Sequence, residues 1–313
     1  MSSRPLISIV SPVLNEEQAI AIFYQRLRVA LAPLRDQYDF ELLFTNNCST
    51  DGTLETVLKL REHDPSVQIL TFSRNFGYEA SVATGLRYAC GDAIVQIDVD
   101  CEDPPELIPD FVREWQNGYD VVYGKRDRRR EFAGMHWARK AFYRLNYFLA
   151  DSETILDMGN FYLISAAVRD AVTANRSTLP FVRSEVAYAG FRRKGISYER
   201  QRRTVGKTHF SLGRVIRFAL AAILSSSTFP LRLSLYMFPL LAISNVILLA
   251  IDRFQWMVAL DFLWLVFSTA MISLYLARTY KDIVQRPVVV VDSRRSAWNQ
   301  LRNPPDASPT AGH

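Results

Sequence analysis

Cysteine is scarce in this chain: Cys48, Cys90 and Cys101 are the only three among 313 residues. Their number is odd and no pair has CxxC spacing, which excludes a disulfide framework and predicts reduced thiols in a cytosolic setting. A secretory leader is not expected either, because the early apolar stretch from Leu6 to Leu14 is too short and is broken by Pro12. No internal repeat or long low-complexity stretch is present, and the final Pro-, Asn-, Ser- and Gly-containing stretch is expected to be a disordered end. Charge of one sign is absent from a long segment. Between Arg200 and Ile251 there is no acidic residue, against seven basic ones: Arg200, Arg202, Arg203, Lys207, Arg214, Arg217 and Arg232.

What the chain does have is apolar length near its C-terminus. Leu233 to Ile251 is a run of 19 residues without charge, and Phe254 to Ala277 adds 24 with Asp261 as the only charge. Each run approaches the roughly 20 residues that cross a hydrocarbon core. The short break at Asp252-Arg253 leaves room for a tight hairpin, and packed membrane helices tolerate Pro239 and Asn245. The competing reading is a buried pair of core helices. Basic residues flank both sides: Arg214, Arg217 and Arg232 before, and Arg278, Lys281, Arg286, Arg294 and Arg295 after. This predicts a multi-pass protein of the cytoplasmic (inner) membrane whose N-terminal domain and tail share the cytoplasm. The basic stretch that leads into the hairpin would be drawn to an anionic leaflet or would grip a phosphate at the bilayer surface. Nucleic acid is the other partner that basic residues suit, and the juxtamembrane position argues against it.

The first half alternates strand-like and helix-like segments, the pattern of a mostly parallel α/β sheet. Strands are predicted at 6–10, 40–44, 67–72, 93–97 and 121–123, and a helix at 80–88. Asn15 is expected to cap a helix whose first turn carries Glu16 and Glu17. The polar run from Asn46 to Thr53 ends a strand and begins a helix, as a nucleotide-binding turn would. After the fourth strand stand Asp98, Asp100, Glu102 and Asp103, four carboxylates in six residues. Such a group would repel itself in a core, so it belongs at a strand's exit, where ligands of open α/β sheets bind. Paired carboxylates there suit a hard divalent cation completed by substrate phosphates. The plain alternative is an acidic turn closed by Pro104-Pro105.

Several motifs now stand in order: Ser8 to Glu17, Ser49-Thr50-Asp51-Gly52-Thr53, Ser73-Arg74-Asn75-Phe76-Gly77, Asp98-Val99-Asp100 with Asp103-Pro104-Pro105-Glu106, Ser225 to Arg232, and Tyr280 with Arg286-Pro287. On these motifs the chain resembles family 2 glycosyltransferases of GT-A fold. Within them it is similar to the membrane-anchored polyprenyl-phosphate hexosyltransferases, the bactoprenol glucosyltransferases and dolichol-phosphate mannose synthases. The resemblance implies an α/β, Rossmann-like nucleotide-sugar domain over 1–200, a basic juxtamembrane segment with helices over 201–232, a transmembrane hairpin over 233–277 and a cytoplasmic tail over 278–313. It implies inverting transfer of a hexose from a UDP- or GDP-sugar to a polyprenyl phosphate, and it leaves room for a homo-oligomer. Pro12, Asn15 and Glu16 would line the base and ribose pocket. Asn47 would belong to the donor site, and Asp51 would either sit near the nucleoside or cap a helix. Arg74 would reach the diphosphate or pair with a local carboxylate. Asp100 would be the direct Mg²⁺ or Mn²⁺ ligand, and Asp98 would contact the ribose or the metal's water. Glu102 and Asp103 read as the acidic start of the following helix. Arg202, Arg203 and Lys207 match the family's basic segment and would hold the acceptor phosphate, for which arginine's planar fork is better suited than His209. Arg126, Arg128, Arg129 and Arg130 form a second basic cluster, either a lid over the donor or plain surface charge.

Departures from the family pattern narrow these expectations. Asn46-Asn47 replace a usual acidic pair, and amides donate as well as accept, which puts the base preference in question. Tyr78 stands where relatives often have lysine. Gly159-Asn160-Phe161 replaces Gly-Asp-Phe, so the usual candidate base is missing and Asp157, three residues earlier, is the residue that could substitute. Such a loss is tolerable, because a phosphate monoester with a second pKa of about 6 is already largely ionised at neutral pH. The rivals are a processive polysaccharide synthase, whose Gln-x-x-Arg-Trp motif and larger membrane region are absent, a transferase for another membrane acceptor, and an inactive scaffold that binds nucleotide sugar. The intact Asp98/Asp100 pair argues against the scaffold.

Overall fold

The computed structural model describes residues 4–126, 158–174, 181–201, 227–284 and 286–299. The chain divides into two compact units, one built from 1–132, 155–209 and 287–313, the other from 133–154 and 210–286.

The first unit is a seven-stranded mixed sheet with helices on both faces. Its strands are β1 (Leu6–Val13), β2 (Asp39–Asn46), β3 (Val67–Thr71), β4 (Ala93–Gln96), β5 (Val121–Arg126), β6 (Met158–Ser165) and β7 (Arg193–Tyr198), in the order β3-β2-β1-β4-β6-β5-β7. The first four are parallel and near-continuously buried, as strands covered on both faces must be. The predicted sheet is therefore present, but β6 and β7 were not foreseen. β6 pairs antiparallel with both β4 and β5, with Gln96 opposite Tyr162, so the sheet is mixed. Helices α1 (Glu17–Leu31), α2 (Thr53–His63) and α4 (Ile108–Gln116) cover one face, where Ile9, Phe23, Phe44, Val95 and Phe111 form the core. Helices α3 (Tyr78–Tyr88), α5 (Ala166–Ala174) and α6 (Val182–Tyr188) cover the other, over Val10, Ile94, Tyr162 and Ile164. α3 lies so close to β1 that a β-carbon at Gly85 would collide with Val10.

The edge strand β3 does not face solvent bare. Residues 287–299 run along it, with the bridges Ile69–Ala297 and Phe72–Val291 and with Trp298 edge-on to Tyr88 at 6.2 Å. An unpaired edge is a template for wrong pairing, and this cover removes it.

In the second unit, α7 (Phe229–Ala250) and α8 (Phe254–Ile283) are 22 and 30 residues long and apolar enough to cross a membrane. Their apolar side chains point outward, Leu235 and Val246 among them. Polar contacts run between the helices: Asn245 Nδ2 donates to Asp261 Oδ1 at 2.7 Å, and Trp264 Nε1 to the Ser234 carbonyl at 3.1 Å. The single charge of the second run is thus partnered.

Candidate functional site

The parallel strands deliver their C-terminal ends to one edge of the sheet, and the motifs gather there. Pro12 is buried in β1, opposite Thr45 of β2. Asn15 does not cap α1 as predicted. It sits in the left-handed region (φ 56), its N–H donates to Ser49 Oγ at 3.0 Å, and its Oδ1 accepts from the Thr50 N–H at 2.8 Å. Its short polar side chain makes that backbone affordable and spends its oxygen on the neighbouring loop. The Glu16 N–H donates to Thr53 Oγ1 at 2.9 Å. Asp51 accepts from the N–H of Thr53 at 3.1 Å and of Glu17 at 3.2 Å, so one carboxylate joins the starts of α2 and α1. Burial raises its pKa, but these hydrogen bonds outweigh it and hold Asp51 below its ordinary value.

Asn46 and Asn47 are buried and shape the same turn. Asn46 Oδ1 accepts from the Ser49 N–H at 3.0 Å. Asn47 Nδ2 donates to Asn75 Oδ1 at 2.9 Å and Asn47 Oδ1 accepts from the Phe76 N–H at 2.8 Å, tying the turn after β2 to the loop before α3. Carboxylates could not make the donating half of that tie. Arg74 is exposed and stacks on Phe76, 3.9 Å from the ring centroid, and among the described residues it pairs with no carboxylate.

At the exit of β4 the acidic run is arranged unevenly. Asp98 Oδ1 accepts from the Tyr78 hydroxyl at 2.7 Å and from Gln96 Nε2 at 3.3 Å. Asp100 Oδ1 accepts from the Glu102 N–H at 3.1 Å, closing a turn through Cys101, whose φ is 56. Burial pushes the Asp98 carboxyl up to about 7; the Tyr78 hydrogen bond pulls it down, and Asp100 and Asp103 push it further up. Asp103 departs from expectation. α4 begins only at Ile108, and Asp103, 1% exposed, is buried beneath the end of β5 and β7. It accepts from the Tyr198 hydroxyl and from Arg126 Nη2 at 3.2 Å, while Arg200 pairs with Glu102. Arg126 is therefore a structural partner here rather than loose surface charge. The signal that Asp103 is not a helix-start residue was Pro104-Pro105, which delays α4.

Two carboxylates at one strand exit, with the charge of Asp100 adding to the raised proton affinity of half-buried Asp98, are a donor set that a divalent cation would relieve. Among the described residues no group of three His, Cys, Asp or Glu side chains is built to hold a metal alone. Asp157, Arg202, Arg203 and Lys207 lie outside the described residues, as do Arg128, Arg129, Arg130 and His209.

A sheet of this order, with an acidic exit on β4, can be compared with known proteins. The model of the family described as Glycosyl transferase family 2 matches residues 8–173. The chain belongs to that family. The transferase is 34% identical to the uncharacterized glycosyltransferase YkcC of Bacillus subtilis (strain 168), over 96% of this chain and 97% of the relative. It is 37% identical to the prophage bactoprenol glucosyl transferase homolog of Escherichia coli (strain K12), over 74% of this chain and 75% of that one. Among solved structures it is similar to glucosyl-3-phosphoglycerate synthase from Mycobacterium tuberculosis in complex with Mn²⁺, uridine-diphosphate and phosphoglyceric acid, at 20% identity and a TM-score of 0.49, over 71% of this chain and 78% of that one. The fold is of GT-A type, and the transferase carries two C-terminal apolar helices behind it.

Proposed function

We propose that this glycosyltransferase moves a hexose, with inversion, from a UDP- or GDP-sugar to a polyprenyl phosphate at the cytoplasmic face of the membrane. The reading is carried by one conjunction: a family 2 domain followed by a two-helix apolar hairpin, in a chain 36% identical to proteins named bactoprenol glucosyl transferase. The donor nucleotide would lie over the ends of β1 and β2, bounded by Pro12, Asn15 and Glu16. Arg74, exposed beside this edge, would meet the diphosphate. Asp98 and Asp100 would hold Mg²⁺ or Mn²⁺, which when bound supplies positive charge for the departing nucleotide. Arg202, Arg203 and Lys207 would hold the acceptor phosphate at the depth of the lipid headgroups. Held there, the phosphate oxygen needs orientation more than deprotonation, since it is already ionised near neutral pH. Asp157 would supply whatever base is still required. Incubating membranes with radiolabelled UDP- and GDP-hexoses and a polyprenyl phosphate tests the reading. Label is expected in a butanol-extractable lipid with one of the donors, and label found only in water-soluble products would reject it.

A further inference from the structure

Tyr78 opens α3 directly after Gly77, whose φ of +93 turns the chain sharply into the helix. Its ring is partly exposed, but its hydroxyl is aimed at the acidic exit of β4. There it completes a triangle: it donates to Asp98 Oδ1 at 2.7 Å, Gln96 Nε2 donates to the Tyr78 oxygen at 3.0 Å, and the same amide reaches Asp98 Oδ1 at 3.3 Å. The donor directions follow from chemistry. When ionised, as it would be beside a cation, Asp98 accepts only, so the hydroxyl proton points at it and the phenolic oxygen is left to accept. Gln96 must then present its NH₂, and its buried Oε1 is left without a partner. Leaving a buried amide oxygen unpartnered is costly, so the arrangement stands against a local penalty.

We infer that Tyr78 is a positioning residue of the donor site: with Gln96 it claims one oxygen of Asp98, fixes the carboxylate's rotamer, and so sets how Asp98 meets the cation and nucleotide. The inference rests on the donor-site reading proposed above. Without the hydroxyl, Asp98 would lose its short hydrogen bond and rotate, and its like-charged neighbour Asp100 would favour the turned-away state.

The test uses full-length protein in detergent, with Mn²⁺ titrated by electron paramagnetic resonance in the presence of UDP and, in parallel, GDP, without acceptor. Tyr78→Phe keeps the ring and removes only the hydroxyl. It is expected to weaken apparent Mn²⁺ affinity about 10-fold, the lower range for loss of a partner that orients a ligand. kcat should fall by a similar factor, with KM for the lipid acceptor and the thermal midpoint unchanged. Asp98→Asn is the reference. If Asp98→Asn binds Mn²⁺ and nucleotide as the wild type does, the site reading fails, and the inference falls with it because no carboxylate needs positioning. If Asp98→Asn is impaired and Tyr78→Phe is not, the site reading stands and the role of Tyr78 is overturned. A Tyr78→Phe protein whose thermal midpoint drops alongside its affinity also overturns it, since that marks a structural residue.

Discussion

At the scale of single residues, the two carboxylates at the exit of β4 are held by different groups. Asp98 accepts from the Tyr78 and Gln96 side chains, and Asp100 accepts from the Glu102 backbone N–H. Asp100→Asn is expected to reduce transfer by at least about 10²-fold, the loss of several kcal/mol that a metal-ligand contact carries. The protein should remain folded and membrane-bound, and activity should stop on adding EDTA. Full turnover in either condition would remove the metal assignment. The acceptor side makes a separate prediction. Arg202→Ala and Arg203→Ala should each remove a charge-assisted hydrogen bond, on the order of 1.5–3 kcal/mol, seen as weaker apparent affinity for the lipid. Donor titrations should be nearly unchanged; collapse of nucleotide-sugar affinity instead would move these arginines to the donor site. Arg→Lys should recover only part, since an ammonium lacks the bidentate fork.

At the scale of elements, a buried carboxylate ties the sheet together at the edge opposite the site. Glu41 of β2, 7% exposed, accepts from Ser8 Oγ of β1, from Gln68 Nε2 of β3 at 2.9 Å and from the Cys90 N–H before β4 at 2.7 Å. Glu41→Ala would remove the shared acceptor of two buried side chains, Ser8 and Gln68, and of the half-buried Cys90 N–H, and is expected to cost about 3 kcal/mol, read as a lowered thermal midpoint with secondary structure retained. Glu41→Gln should cost less, because its carbonyl oxygen still accepts; equal losses would show that the network is not what matters. The segment 287–299 is the second such tie. The Ile69 N–H donates to the Ala297 carbonyl at 2.8 Å and the Ser73 N–H to the Val290 carbonyl at 2.9 Å, so this segment reaches the loop that carries Arg74. Trp298→Ala would lose a partly buried ring, roughly 1–2 kcal/mol. Hydrogen exchange at Ile69 and Ser73 should speed up accordingly, while that of β1 amides stays unchanged. Uniform acceleration across the sheet would argue for global rather than local loosening.

At the scale of the whole molecule, the expectation that joins the units is topological. Basic residues flank both ends of the hairpin, so both ends are expected on one face of the membrane. The natural cysteines, Cys48, Cys90 and Cys101, can be changed to serine and single cysteines placed before Arg214 and after Arg286. Both should react with an impermeant maleimide from the same side. Labelling from opposite sides would exclude the hairpin as a two-span insertion.

Local chemistry made much of this legible without coordinates. Strands β1 to β4 were readable because parallel strands buried on both faces are near-continuous apolar runs. α7 and α8 were readable as long helices because their sequences are long apolar runs almost free of charge. The acidic exit of β4 was readable because four carboxylates cannot share a core. What the sequence could not decide were pairings between distant residues. Asp103 looked like a helix-start acid, and only the convergence of β5 and β7 made it a buried partner of Arg126 and Tyr198. Asn46 and Asn47 looked like a change in base recognition; the fold also gives them structural partners, Asn46 inside the turn and Asn47 to the loop before α3. Tyr78 was only a departure from lysine until the fold set it across from Asp98, twenty residues on. Sequence by itself determined strands β1 to β5, the two long apolar helices and the acidic strand exit, because those follow from burial and charge along the chain. Tertiary structure decided which polar atoms meet, because hydrogen bonds depend on distances that only the folded sheet brings within reach.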